Sequence, residues 1–165
     1  MGGDVGLDTA LPAAFEVIRG RKDIRCTLIG DASRINSMLA THSLSESLLA
    51  RIAVRHASQV VEMDESPALA LRKKKDSSMR VAINMVKQGD ADACVSAGNT
   101  GALMATARFV LRMIDGIDRP AICSTLPRAN GVAHILDLGA NVDTPPQGLL
   151  QFGLMGVAVA SIVDG

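Results

Sequence analysis

Short strand-like runs and longer helix-like segments follow one another along this chain. That alternation restricts the fold more than any other feature. Arg25 to Ile29 is an apolar run closed by Gly30-Asp31, and Ile52 to His56 alternates as a strand does. Pro12 to Arg21 and Ala32 to Leu39 have helical spacing, and Ser66-Pro67 opens a further helix toward Lys75. From Ser78 to Lys87, Met79, Ile83 and Val86 share one face while Arg80, Asn84 and Lys87 share the other, and Gly89 ends the segment. Ala93 to Val95 reads as the next strand, and Thr100 to Ile114 as the next helix, stopped near Gly116.

The rhythm then changes. Ala121 to Leu126 and Val132 to Leu138 are strand-like, with only Pro127 to Gly131 between them. That link is too short for a crossover helix, so the spacing predicts an antiparallel hairpin turning at Asn130-Gly131. Thr144-Pro145-Pro146-Gln147 has the pattern of a capping box with proline at the first helical position, and the helix it opens runs to about Val163. The expected fold is α/β, a three-layer Rossmann-like arrangement with a largely parallel sheet and one hairpin. At 165 residues the chain is read as a single domain. Met1-Gly2-Gly3-Asp4 has the look of a loop following a strand, and the last helix stops at Gly165. The expectation is therefore a piece of a longer protein, without its first strand.

Charge and composition narrow the function. Seventeen basic and seventeen acidic side chains cancel, so no overall field draws in a polyanion. With no Trp, no Tyr and three Phe, platforms for stacking bases are nearly absent, and nucleic-acid binding is not expected. Cys26, Cys94 and Cys123 are odd in number, far apart and without metal-ligand spacing, which reads as buried free thiols in a reducing compartment. No metal or cofactor is expected. The start lacks a basic-then-apolar signal pattern, and a cytoplasmic protein is expected. Leu149 to Val163, the most apolar stretch, falls short of the roughly 20 residues that span a bilayer and is expected to be a buried helix.

Two loops sit where open parallel sheets bind ligands, between a strand's carboxyl end and a helix start. The first holds Ser96, Gly98, Asn99, Thr100 and Gly101. Its glycines let backbone approach a ligand, and the helix start directs free N–H groups and a partial positive charge at an anion such as phosphate. It is neither a Walker loop nor a dinucleotide fingerprint, and a plain helix cap remains the alternative. The second loop is Asp137 to Asp143, where Asn141 is a candidate donor to a carbonyl oxygen and Asp137 or Asp143 a candidate to orient a donor or a lysine. Its alternative is a turn shaped and capped by Asp and Asn. Arg72-Lys73-Lys74-Lys75 is the strongest local charge, read either as a solvated helix end or as capture of phosphate or an acidic partner. His42, His56 and His134 are isolated, and no Ser/His/Asp or Cys/His set stands out. If the chain is an enzyme, its nucleophile arrives with the substrate.

With those residues in view, the chain resembles the bacterial phosphate acyltransferases of phospholipid synthesis. The resemblance runs through Met1 to Asp4, Arg55-His56-Ala57-Ser58, Val61-Glu62-Met63-Asp64 and Pro67 to Met79. It continues in Ser96 to Ala102, Arg119-Pro120-Ala121 and Leu136 to Asp143. Gly6-Leu7 stands where the family usually has a Gly-Pro pair. The resemblance implies attack of inorganic phosphate on the thioester of acyl-ACP, giving acyl phosphate and free acyl carrier protein for glycerol-3-phosphate acylation. In that frame Ser96, Gly98, Asn99, Thr100, Gly101, Lys73 and Lys74 are expected to bind phosphate or substrate. Asn141 and Asp137 are expected in catalytic roles, in a crevice shared with the first loop. The resemblance further implies a homodimer, related in fold to phosphotransacetylases and isopropylmalate-type dehydrogenases, with peripheral association at the inner face of the membrane. A phosphotransacetylase acting on short acyl-CoA and a non-catalytic phosphate-binding or dimerisation module remain the alternatives.

Overall fold

The computed structural model describes residues 2–165; Met1 lies outside the described residues. The protein is mixed α/β and divides into two compact units, Met1–Leu111 and Arg112–Gly165.

The first unit opens with α1 (Gly6–Gly20), followed by β1 (Cys26–Gly30), α2 (Ala32–Thr41), the short α3 (Glu46–Leu49) and β2 (Ile52–His56). β1 and β2 pair in parallel from Cys26↔Ile52 to Gly30↔His56. The connection between them is helical, as parallel pairing requires. The sequence places the start of α1 at Pro12, but the helix begins at Gly6 with Pro12 inside it. Leu7, Leu11, Phe15 and Ile18 recur at helical spacing and are all buried, and that burial outweighs the backbone hydrogen bond proline removes. At the other end Arg51 caps α1. Its guanidinium donates to the carbonyl oxygens of Ile18 (2.7 Å), Arg21 (2.7 Å) and Ile24 (3.3 Å), placing a cation where the helix leaves its carbonyls unpaired. Leu7, Leu11, Phe15 and Ile35 pack with Leu28, Ile52 and Val54 of the strands.

α4 (Pro67–Lys73), α5 (Ser78–Gln88) and α6 (Thr100–Leu111) enclose a second cluster of Val61, Ala70, Met79, Ile83, Ala102 and Val110. Ser77 caps α5 by accepting from Arg80 N at 3.3 Å. Gly89 closes the same helix in the left-handed region at φ +77°, open to glycine without a Cβ penalty. The expected strand Ala93 to Val95 is not formed. β1 and β2 pair only with each other among the described residues, leaving this run no ladder partner, and Val95 is 98% exposed.

In the second unit β3 (Cys123–Arg128) and β4 (Gly131–Leu136) form the expected antiparallel hairpin. Arg128 pairs with Gly131, so the turn is Ala129-Asn130, one residue earlier than the sequence indicated. α7 (Pro146–Val163) follows. Its N-cap is Pro145 and no side chain caps it, so the capping box expected at Thr144 does not form. The helix is apolar over 18 residues with mean hydropathy 1.5, long and apolar enough by length and composition to cross a membrane. The expectation of a buried helix fails within this unit, since only Gln151 and Phe152 are buried and Leu149, Leu154, Val157 and Ile162 are exposed. One hairpin offers too little surface to cover an 18-residue apolar helix. The thiols differ too: Cys26 and Cys94 are half-buried, but Cys123 is exposed, and all three are free.

Ile83 has no solvent exposure and sits where α5 meets α6. Ile83→Ala is expected to destabilise the first unit by about 2–5 kcal/mol, through lost transfer energy and a residual cavity. Denaturant unfolding measures it, and a loss within error of zero contradicts this packing.

Candidate functional site

α6 begins on a loop that the sequence makes unusually small. Ser96 Oγ accepts from Gly98 N at 3.2 Å and bends the chain at Ala97. Gly3, at φ +88°, comes so close that a Cβ there would lie 2.8 Å from the Ala97 carbonyl oxygen. A Cβ on Gly98 would meet Met79 Cε and Ser96 Oγ at 3.4 Å, and one on Gly101 would meet Pro67 Cγ at 3.0 Å. Small residues are therefore what let three segments converge at the start of this helix.

Asn99 is the cap. It is 8% exposed, and its Oδ1 accepts from Ala102 N at 2.9 Å. Leu103 N reaches the Asn99 carbonyl at 2.9 Å. Thr100 N and Gly101 N, in the first turn, find no acceptor among the described residues, and both residues are exposed. Two free amides at the positive end of a 12-residue helix are an arrangement that takes an anion.

The Asn99 side chain, expected to line the site, is engaged within the protein. Its Nδ2 donates toward the carbonyl oxygens of Glu62 (3.1 Å), Met63 (2.9 Å) and Glu65 (2.9 Å). An amide nitrogen has two hydrogens, so three acceptors leave none for a ligand. Glu65 also accepts from Glu62 N at 3.2 Å and pairs with Lys74 Nζ at 2.6 Å. The hydrogen bond from Lys74 holds the Glu65 carboxyl below its ordinary value against the opposing effect of desolvation. Lys74 donates to the Val60 carbonyl as well. The two lysines expected to act together are thus separated: Lys74 points inward into an ion pair, and Lys73 is exposed alongside Arg72 and Lys75.

The second loop lies in the other unit, where Asp137 organises it. Its carboxylate accepts from Ile122 N (2.9 Å), Ala140 N (3.3 Å), Asn141 N (2.7 Å) and Asn141 Nδ2 (3.0 Å). Desolvation pushes the Asp137 pKa up, but these hydrogen bonds outweigh it and the net shift is downward. Asp137 thus holds both the backbone and the side chain of Asn141, and Asn141 Nδ2 spends its second hydrogen on the Pro120 carbonyl at 3.0 Å.

A further group emerges from the structure at the carboxyl ends of β1 and β2. Asp31 caps α2, accepting from Ser33 N (2.9 Å), Ser33 Oγ (2.6 Å) and Arg34 N (3.3 Å). His56 Nδ1 accepts from Ala32 N at 3.3 Å. Asp76 Oδ2 accepts from Ser58 N (2.8 Å) and Ser58 Oγ (2.6 Å), while Gln59 and Asp76 exchange further bonds. The available signal was positional. Gly30-Asp31 and His56-Ala57-Ser58 each follow a strand, and two parallel strands bring such ends to the same side.

The family model described as fatty acid synthesis protein matches residues 1–165. A phosphate acyltransferase of Chromobacterium violaceum is 55% identical over 165 residues, covering 100% of this chain and 47% of the relative. Those of Nitrosococcus oceani and Alcanivorax borkumensis are 56% identical over 164 residues and 54% over 165, covering 99% and 100% of this chain and 48% of each relative. The chain belongs to the fatty acid synthesis protein family. It spans about half the length of the curated relatives it matches.

Hydrogen bonds from the Ser58 side chain and backbone, with the nearby His56, lower the Asp76 pKa from its usual 3.8. A depressed carboxyl contributes stability above its unfolded value and loses it as pH falls through the folded value. Asp76→Asn should therefore have a lower thermal midpoint than wild type at neutral pH, with the gap narrowing below pH 3.8. Midpoints measured across that range check it, and a gap that is constant with pH counts against the Asp76–Ser58 link.

Proposed function

We propose that this chain carries the phosphate-binding part of an acyl-ACP:phosphate acyltransferase. The observation behind the reading is the start of α6, where the Thr100 and Gly101 amides are free above a glycine loop. Family membership and the names of the relatives support it. A phosphate oxygen attacks the thioester carbonyl carbon and forms a C–O bond, giving a tetrahedral oxyanion. Collapse of that intermediate breaks the C–S bond, and the thiolate of the carrier leaves and takes a proton from solvent. The nucleophile is the substrate, so the protein's work is to place it and stabilise developing charge. Ser96, Gly98, Thr100 and Gly101 hold phosphate in this reading, and Asn99 fixes their geometry. Lys73, with Arg72 and Lys75, gives exposed positive charge suited to an acidic carrier protein.

The wider architecture belongs to the same proposal. It is a three-layer Rossmann-like α/β/α fold in a cytoplasmic homodimer, associating peripherally with the membrane. Incubating the full-length protein with long-chain acyl-ACP and phosphate and assaying acyl phosphate tests the activity. Turnover of acetyl-CoA alone instead means a phosphotransacetylase, and phosphate binding without turnover means a non-catalytic module.

Gly98→Val places branched carbons against Met79 Cε and Ser96 Oγ and narrows the approach to the α6 amides. A raised phosphate KM, or lost activity, in a folded variant is the expected outcome; unchanged phosphate kinetics sink the assignment.

Asn141 reaches an oxyanion only by giving up one of its two side-chain bonds, to the Pro120 carbonyl or to Asp137. If it does so, Asn141→Ala costs about 2.7–4 kcal/mol of barrier, mostly in kcat. The measurement is kcat beside the thermal midpoint, and a lowered midpoint with near-normal kcat leaves Asn141 as a residue that shapes the loop.

A further inference from the structure

The Glu65–Lys74 ion pair is joined to the start of α6 through Asn99. Three links connect it to the free amides there. Lys74 Nζ sits 2.6 Å from Glu65 Oε2, and the side chains are only 26% and 10% exposed. The Glu65 carbonyl, on the same residue, accepts from Asn99 Nδ2 at 2.9 Å. Asn99 Oδ1 then accepts from Ala102 N at 2.9 Å, in the same helical turn as the free Thr100 and Gly101 amides. Lys74 also ties the Val60 carbonyl, and Glu65 ties Glu62 N, so the ends of the Val60–Glu65 segment are fixed together. That segment presents all three carbonyl oxygens to Asn99.

We infer that Asn99 and the Glu65–Lys74 pair are positioning residues for the anion site at the start of α6, with Lys74 acting through Glu65 and not as a phosphate ligand. The inference rests on the phosphate reading above. Its physical basis is that a half-buried lysine already neutralised by a carboxylate has little net charge to offer an anion. A carboxylate stripped of that lysine, by contrast, is left poorly solvated and relaxes the backbone it holds. The exposed Lys73 has neither partner.

Two roles for Lys74 predict opposite behaviour at Glu65. If Lys74 positions, Lys74→Met and Glu65→Gln each raise the phosphate KM by at least about tenfold, as expected for a lost charge-assisted bond. Lys74→Arg restores most of the loss. The double variant Lys74→Met/Glu65→Gln is then no worse than either single change, because both remove one link. If Lys74 is a ligand, removing the Glu65 charge frees it and lowers the phosphate KM, which overturns the inference. The full-length protein is assayed with acyl-ACP and phosphate, with kcat and thermal midpoint measured for each variant. A fall in midpoint with unchanged phosphate KM also overturns it.

Amide hydrogen exchange in the same proteins without substrate keeps this test separate from the activity. Faster exchange at the bonded amides of Gly98, Ala102 and Leu103 in Lys74→Met and Asn99→Asp, reversed in Lys74→Arg, is the expected result. Wild-type exchange in all of them removes the mechanical link. Absence of phosphate turnover in wild type with this exchange pattern intact overturns the phosphate reading and leaves the link standing.

Discussion

One asparagine holds much of the first unit in register. Asn99 offers two hydrogens to three carbonyl oxygens on one side and an acceptor to Ala102 N on the other. Three carbonyl oxygens gathered around one nitrogen repel one another unless that donor sits among them, so without the amide the Glu62–Glu65 turn has no reason to close against α6. Closure in turn brings Pro67, at the start of α4, against Gly101. A carboxylate in place of the amide keeps the cap and reverses the sign of every other contact. The same residue therefore decides both how a core helix starts and how its first turn faces solvent.

In the proposed phosphate site, the chain's lack of net charge is no obstacle. Attraction comes from backbone dipoles aligned along α6 and from N–H groups that no side chain has claimed, and it acts within the first turn. Asn99 satisfies the third amide and its carbonyl the fourth, which leaves free the two nearest the loop. Glycine at 98 and 101 keeps side-chain bulk away from them, with neighbours already at 3.0–3.4 Å from where a Cβ would stand. The basic run divides its labour, with Lys74 neutralised inside and Lys73 left outside.

Much of this was legible in the sequence, for identifiable reasons. β2 falls at its predicted residues and α5 within one of them, because alternation and a Ser–Gly bracket are local signals. The hairpin was legible because the five residues Pro127 to Gly131 cannot carry a crossover. The start of α1 was missed because proline's preference for a first turn is weaker than burial of four apolar side chains. The strand at Ala93 was missed because a ladder depends on neighbours, and a window of residues does not reveal which neighbours are present. In the candidate site, the loops were legible from glycine beside a helix start, but the directions of Asn99 and Lys74 were not. Those depend on carbonyls and a carboxylate 9 to 37 residues away in the chain.

The second unit shows what happens when polar ties and apolar burial are not matched. Gln151 exchanges two hydrogen bonds with Asp118, at 3.0 Å to its backbone and 2.9 Å to its carboxylate. Asn141 binds Pro120, and His134 meets Asp164 at 2.8 Å with Thr125 on its other ring nitrogen. Each tie fixes one position in the unit, and each is directional. Hydrophobic burial is not directional, and here little of it is realised, since Leu149, Leu154, Val157 and Ile162 are each more than 60% exposed. At about 25 cal/mol for each Å² of apolar surface removed from water, that face holds stabilisation the unit does not draw on by itself. The polar ties therefore define where α7 lies, and its apolar face contributes only to the extent that another surface covers it.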